Sequence, residues 1–441
     1  MALGKVDVYN LGARGVNLTA SPVHTEDGDV VSAQNAISNP VSEEGGLSKR
    51  GGLARLNSSA LAGSVANIIN VPLPVTLTRT LYAALDLATP MWRKSTDGTT
   101  WSNVTTVPAR AQSNSKITGA GGDQIFNTHN RIVGWNRRLY YPANGYTQAA
   151  AHPSVRAFDG TNDYEVFTVP TNTAAGVDTY PDVIGDMIVH DNKLYLTVFD
   201  SGFAATDYSR VYEYDPSVGT LLQVGPGFRD GTSSVTGMAS VLCSFQGRLW
   251  MGTNGGFGGG TALGQLYSIQ PGYETTWTLE KSFTEGWVQS MAVYRGKLYV
   301  AVNNAVASAS QTPKVYVRAA DNTYAASVTG GTSVGTSWYS QLTVFNDLLF
   351  AAHLDNEASP DAAIKMYDGS SWTEDFDISG TYAAATVAGS FLSWQSSLYY
   401  VIPAFSSAVG AILKRTSAGV WPAVDATQQL RGFLAELVVE G

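Results

Sequence analysis

One phrase recurs through this chain and limits what it can fold into. It is a large residue, then turn-forming residues, then Leu followed by an aromatic. Its fullest forms are Phe245-Gln246-Gly247-Arg248-Leu249-Trp250 and Tyr294-Arg295-Gly296-Lys297-Leu298-Tyr299. It returns at Trp135 to Tyr140, His190 to Tyr195, Phe345 to Phe350 and Trp394 to Tyr399, and in reduced form at Leu81-Tyr82. Such a phrase reads as a hairpin turn feeding a buried strand. Repetition at intervals of roughly 50 residues is the signature of a repeat architecture.

A second set of strands follows each phrase: Val211-Tyr212-Glu213-Tyr214, Leu266-Tyr267-Ser268-Ile269, Val315-Tyr316-Val317 and Lys365-Met366-Tyr367. Tyr195 to Tyr212, Trp250 to Tyr267, Tyr299 to Tyr316 and Phe350 to Tyr367 are each 17 apart. A fourth strand follows a turn and an aromatic, as in Asp97-Gly98-Thr99-Thr100-Trp101, Asp159-Gly160 before Tyr164, and Asp368-Gly369-Ser370-Ser371-Trp372. Glycine accepts the positive φ that tight turns between strands require. Four antiparallel strands per unit describe a propeller blade, and units of this length close radially, which leaves only short edges. The expectation is an all-β chain, a seven-bladed β-propeller of four-stranded antiparallel blades over residues 64–427, with an extended N-terminal arm over 1–63 and a closing segment over 428–441. In that last segment Phe433, Leu434, Leu437 and Val438 carry helical spacing while Val438-Val439 favours a strand, so both conformations stay open.

Composition narrows the functional classes. Tyr, Trp, Phe, Val and Thr recur while charged residues make up only 14%, which favours strands and a surface of Ser, Thr, Asn and Gly. The net charge of −9 argues against broad nucleic-acid binding, which needs a basic footprint. Cys243 is the only cysteine, so neither an intrachain disulfide nor a thiolate cluster can form, and Val241-Leu242-Cys243 places it as a small buried hydrophobe. No apolar run of about 18 residues occurs, so no membrane span is expected. The first residues show no apolar core of secretory length, and synthesis in a cytoplasm is the expectation.

Motifs for chemistry are sparse. No two of His24, His129, His152, His190 and His353 stand at metal-ligand spacing, and no G-x-S-x-G elbow marks a nucleophile. His190 occupies the place of Phe245, Tyr294 and Phe345 in other repeats, which makes it a packing residue. The Asp-Gly pairs lack the alternating oxygens of a calcium loop, and the glycine-dense run from Asn254 to Gly260 lacks the Lys-Ser/Thr of a phosphate loop. Ser95 to Trp101 resembles the Asp box of sialidases and related propellers, a turn motif that speaks of fold and not of activity. No arginine triad of the sialidase kind can be assembled, and carboxylate separation across blades is not readable from sequence. No cofactor and no catalytic residue is expected. Most aromatics fall on repeat positions, as a blade core requires. Carbohydrate or receptor binding by loops at 141–152, 200–209, 252–264 and 302–313 is the alternative reading, and a glycosidase of sialidase-like fold stands behind it.

The N-terminal stretch is short of aromatics and crowded with Gly, Asn, Ser and Asp, so it lacks a core of its own and must lie on something. It carries Gly15-Val16-Asn17-Leu18, Ser21-Pro22-Val23-His24, Glu26-Asp27-Gly28, Ala33-Gln34-Asn35-Ala36 and Gly46-Leu47-Ser48-Lys49-Arg50-Gly51-Gly52-Leu53, in that order. This series resembles the N-terminal segment of structural proteins of tailed bacteriophages. Comparable segments often carry Pro where this chain has Gly51. The resemblance implies a virion component of the tail or neck, non-enzymatic and nozzle-like in its propeller body, assembled in the host cytoplasm. Gly15, Asn17, Pro22, Asp27, Gly28, Gln34, Asn35, Lys49 and Arg50 would form its docking arm. The implied partners are other virion proteins and further copies of the chain in a symmetric assembly, with a host-surface glycan as a further partner for the loops. Docking through strand addition suits such an arm, and so does completion of a blade of its own propeller.

Overall fold

The computed structural model describes residues 36–38, 47–49, 77–85, 92–104, 117–119, 122–124, 132–143, 153–170, 182–200, 208–229, 238–254, 264–285, 287–303, 313–329, 338–355, 361–379, 390–402, 410–425 and 430–440. The chain divides into two units, Met1–Leu73 and Pro74–Gly441. The first contains a two-stranded antiparallel pair in which Ala36–Ser38 runs against Leu47–Lys49.

The second unit is a seven-bladed β-propeller. Blade 3 shows the pattern, with Asp182–His190 innermost, then Lys193–Asp200, Tyr208–Asp215 and the outer Thr220–Gln223. Blades 2, 4, 5, 6 and 7 begin with the inner strands Val133–Trp135, Met238–Phe245, Trp287–Tyr294, Trp338–Phe345 and Phe391–Trp394. Blade 1 is assembled differently. Its second, third and outer strands are Leu77–Leu85, Trp92–Ser95 and Ser102–Val104, and its inner strand is Leu430–Glu440 from the far end of the chain. The closing segment is therefore a strand. The period-2 ladder along Leu77–Leu85 decides between the two conformations that its own sequence left open.

The repeated phrase has a simple packing logic. Alternate residues of a strand face opposite sides of the sheet. In each blade the Leu of the phrase faces the preceding blade and the aromatic faces the following one. Leu194 thus packs with Tyr140 of blade 2, while Tyr195 packs with Leu249 of blade 4. Around the ring, Leu81 and Tyr399 share the layer between blades 7 and 1, and Tyr82 and Leu139 share the next. Seven apolar layers result, one at each junction between blades.

The turns of the phrase are two residues long, and both residues have positive φ: Asn136-Arg137, Asp191-Asn192, Gln246-Gly247, Arg295-Gly296, Asn346-Asp347 and Gln395-Ser396. This is the type I′ conformation that matches the twist of paired strands. Blade 1 has no such turn because its first two strands are not consecutive, and this is why the phrase fades at Leu81-Tyr82. One of the four equal intervals is not structurally equivalent to the rest. Tyr212, Tyr267 and Tyr316 stand opposite Leu196, Met251 and Val300, whereas Tyr367 stands opposite Leu349, two places along the ladder.

Candidate functional site

Strand order gives the propeller two unlike faces. One carries the two-residue turns and the connections between third and outer strands, which are four to eight residues long. The other carries the connections between second and third strands and those between blades, which are uneven, with three residues between Phe283 and Trp287 and 13 between Asp377 and Phe391. The loops at 141–152, 200–209, 252–264 and 302–313 belong to this second face, and most of their residues lie outside the described ones.

On the short-turn face, aspartates close the turns between third and outer strands. Asp97 Oδ1 accepts the amides of Thr99 and Thr100 at 2.8 and 2.6 Å. Asp368 Oδ1 does the same for Ser370 and Ser371 at 2.7 and 2.9 Å, and Asp159 for Thr161 and Asn162. The backbone N–H groups, from Thr100 above all, hold the Asp97 carboxyl well below its ordinary range, and those of Ser371 and Ser370, with the Ser370 hydroxyl, bring Asp368 down to about 2. Asp215 and Asp321 cap equivalent turns without a following Gly, through Ser217 and Thr323. Sequence reading missed both, and the signal that could have found them is Asp followed two residues later by Ser or Thr.

Polar side chains within the ring are spent on holding blades together. The residue four before the turn aromatic of one blade accepts the backbone N–H three before the turn aromatic of the next. Asp186 Oδ2 takes the Leu242 amide at 2.8 Å, Ser290 Oγ takes that of Leu342 at 2.9 Å, and Gln341 Oε1 takes that of Phe391. Blade 4 has Val241 there, and Ser240 Oγ donates to the Val288 carbonyl instead, at 3.2 Å. Asn303 clamps Tyr339 at two points, receiving its N–H and donating to its carbonyl, both at 2.8 Å.

Charged groups bridge some junctions and brace individual blades. Arg415 and the Trp421 indole, both in blade 7, bond Asp375 of blade 6, at 2.8 Å for Arg415 Nε and 2.7 Å for Trp421 Nε1. Burial would raise the Asp375 pKa, but these bonds outweigh it and hold the carboxyl below its usual range. Arg93 meets Asp425 at 2.6 Å across the junction of blades 1 and 7, and Arg295 meets Asp347 at 2.6 Å across blades 5 and 6. Within blades, Arg156 holds Asp163, Arg248 holds Glu274, and Lys193 with the Tyr195 hydroxyl holds Glu213. Glu285, buried beside the crossing from blade 4 to blade 5, takes Lys314 at 2.7 Å and both oxygens contact the Tyr316 hydroxyl at 3.1 Å.

His190 sits in the turn position the sequence assigned to it. Its Nδ1 lies 2.7 Å from Ser244 Oγ of blade 4, and its ring meets Tyr195 edge-on. Desolvation lowers its pKa against the opposing pull of Asp191 and Glu213. Cys243 is buried, and burial pushes its thiol up to about 12. Among the described residues no three His, Cys, Asp or Glu side chains gather as a metal site, and no helix is long and apolar enough to cross a membrane. Of the docking-arm residues, Lys49 ends a strand opposite Ala36, while Gly15, Asn17, Pro22, Asp27, Gly28, Gln34, Asn35 and Arg50 lie outside the described residues.

Comparison with known proteins adds fold and little else. No family model and no curated protein matches the sequence. Among solved structures, a candidate 6-phosphogluconolactonase from Bacteroides fragilis is similar, with a TM-score of 0.51 and 14% identity over 82% of this chain and 98% of that one. A second, from Bacteroides uniformis, gives a TM-score of 0.51 and 11% identity over 82% of this chain and 99% of that one. A mutant Trypanosoma rangeli sialidase with trans-sialidase activity follows at a TM-score of 0.41 and 14% identity, over 71% of this chain and 57% of that one. The likeness to the two Bacteroides structures supports the propeller fold and, at these identities, carries no activity, because one fold hosts many functions.

Proposed function

We propose that this protein is a non-catalytic structural component of a tailed-bacteriophage particle, held in a tail or neck assembly by its N-terminal segment. The observation that carries this reading is the ordered series from Gly15 to Leu53, with its resemblance to phage structural proteins. Two features agree with it. The N-terminal stretch forms a unit apart from the propeller, and the strands described in it are three residues long, too short to support a core without a partner. In the propeller, buried polar groups such as Asp186, Asn303 and Asp375 tie neighbouring blades together, which suits a rigid scaffold. The partners are neighbouring virion proteins and other copies of the chain, related by the symmetry of the particle.

Deleting residues 1–57 tests the reading. The truncated chain should keep the propeller's cooperative melt and disappear from assembled particles. Normal incorporation of the truncated chain sinks the proposal. A glycan array on the full chain serves as the second arm: a hit abolished by changes in the loops at 252–264 or 302–313 would move the function to carbohydrate recognition.

A further inference from the structure

One place in the third strand, opposite the leucine of the repeated phrase, differs between blades. It holds Ser95, Phe158, Tyr214, Ile269 and Tyr367 in blades 1, 2, 3, 4 and 6. Blades 5 and 7 carry arginine there, Arg318 and Arg415. Each guanidinium lies over the phrase aromatic of the preceding blade, Arg318 at 5.0 Å from the Trp250 ring centre and Arg415 at 5.1 Å from that of Phe350. Around Arg415 a carboxylate completes the group. Asp375, the bulged residue of the blade 6 outer strand, accepts Arg415 Nε, Arg415 Nη2 and Trp421 Nε1 at 2.8, 2.9 and 2.7 Å.

Blades 4 and 5 hold the same parts but do not join them. Glu280 is the bulged residue of the blade 4 outer strand, and Tyr324 stands opposite Arg318. The Ser268 hydroxyl, which accepts Arg248 Nε at 2.9 Å, donates to Glu280 at 2.5 Å. Arg93, Arg156, Arg248, Arg295 and Arg415 each hold a carboxylate, whereas Arg318 holds none among the described residues. Its Nη2 donates to the amide oxygen of Asn322 on the exposed turn, and its buried Nε meets no acceptor. The Tyr324 hydroxyl lies close by, buried and likewise without a hydrogen-bond partner. Burial raises its pKa to about 12 against the pull of Arg318, so it is a donor at neutral pH. Buried donors are seldom left in this state. We infer that the junction of blades 4 and 5 is a binding site for a carboxylate from outside the chain, gripped by Arg318 and Tyr324 in the way Asp375 is gripped by Arg415 and Trp421. The planar fork of arginine takes a carboxylate through two parallel bonds. The Asn322 amide is its neutral stand-in, and an entering carboxylate displaces it. The site stands whether or not the chain belongs to a virion.

Solution NMR of the full chain, with nitrogen-labelled tryptophan, reads the site through the Trp250 indole, whose signal is assigned by its loss in Trp250→Phe. The probes are sodium acetate and sodium glucuronate at constant ionic strength, with sodium chloride as the control. The expected result is a saturable shift of the Trp250 signal with either probe, beyond any change with chloride. Equal affinities identify the carboxylate alone as the ligand, and at least tenfold tighter binding of glucuronate identifies an acidic sugar. Arg318→Met should abolish the shift. Asn322→Asp builds a carboxylate into the turn, where aspartate accepts the left-handed φ of +65°, and should weaken binding at least tenfold. This second variant decides the matter if the first fails to fold. The absence of a saturable shift with both probes overturns the site, and so does a response in folded Arg318→Met or in Asn322→Asp equal to that of the unaltered chain.

Discussion

Blade 1 and blade 3 have the same four-stranded sheet but opposite ways of making it. In blade 3 the inner and second strands are joined by Asp191-Asn192, and their pairing needs almost no chain closure. In blade 1 the same two places are filled from opposite ends of the propeller, so the ladder forms only when every intervening blade is in position. Contacts so distant in sequence are slow to form because loop closure precedes any gain. The compensation is visible in the register: the blade 1 ladder extends past the usual stop, and Arg93 and Asp425 pair across the seam. Continuity of the chain can thus be replaced by a longer ladder.

The largest effect should come from removing residues 430–441. Blade 1 would lose its inner strand, leaving the layers around Leu81 and Tyr82 open, and the cooperative melt should vanish in circular dichroism. A protease clip between Asp191 and Asn192 leaves every strand in place, so the clipped protein should still melt as one unit. If the clip is as damaging as the truncation, the seam is not special.

Next in size is Asp186→Ala at an ordinary junction. Two buried amides, Met187 and Leu242, lose their acceptor, and each orphaned group costs about 1–3 kcal/mol, so about 4 kcal/mol is expected by urea denaturation. Ser290→Ala at the next such clamp, between blades 5 and 6, removes a single acceptor and should cost about 1–2 kcal/mol. Equal losses would mean that the two clamps are not graded by the amides they hold.

Glycines sharpen the contrast between seam and hairpin. Gly98 has φ +71° and a Cβ there would lie 2.0 Å from the Tyr399 hydroxyl of blade 7, so Gly98→Ala should cost about 2–4 kcal/mol. Gly247 has φ +69° with open space around it, and Gly247→Ala should cost only the backbone strain, about 1 kcal/mol. Matching values in a denaturant series would show that packing at the seam contributes nothing extra.

The smallest effect is pH-dependent and sits between blades 3 and 4. His190 has a folded pKa below its ordinary 6.5, so the unfolded chain binds the proton more readily. Its contribution to stability is full above the unfolded pKa and falls as pH drops from about 6.5 through the folded value. His190→Phe, which copies Phe245 and Phe345, should flatten this slope between pH 7.5 and pH 5. An unchanged slope would assign the dependence to other groups.

Local chemistry made much of this fold legible. Positive-φ residues at Gln246-Gly247 and Arg295-Gly296, and the Leu-aromatic pair after each, follow from short-range turn rules. The place of His190 followed from its alignment with aromatic neighbours. What stayed hidden depends on partners far along the chain. Leu430 to Glu440 reads equally as helix or strand until Leu77–Leu85 is beside it. Asp186, Ser290 and Gln341 look like ordinary polar residues of a half-exposed strand, because the amides they bind belong to the next blade. Tyr367 fell at the expected interval but in another register, since equal counting along a chain does not guarantee equal pairing across it. Of the docking arm, sequence supplied the residues and the resemblance; only Lys49 among them has a place in the described strands.

The alternation of Leu and aromatic has one more consequence. Each apolar layer is half contributed by each neighbour, so no blade possesses an interior that it could keep after separation from the ring. Cutting out a blade would expose two half-layers on the fragment and two on the remainder. The smallest part able to fold is therefore the closed circle, and change in such a lineage must proceed by trading residues within layers or by gaining and losing whole blades with the ring resealed.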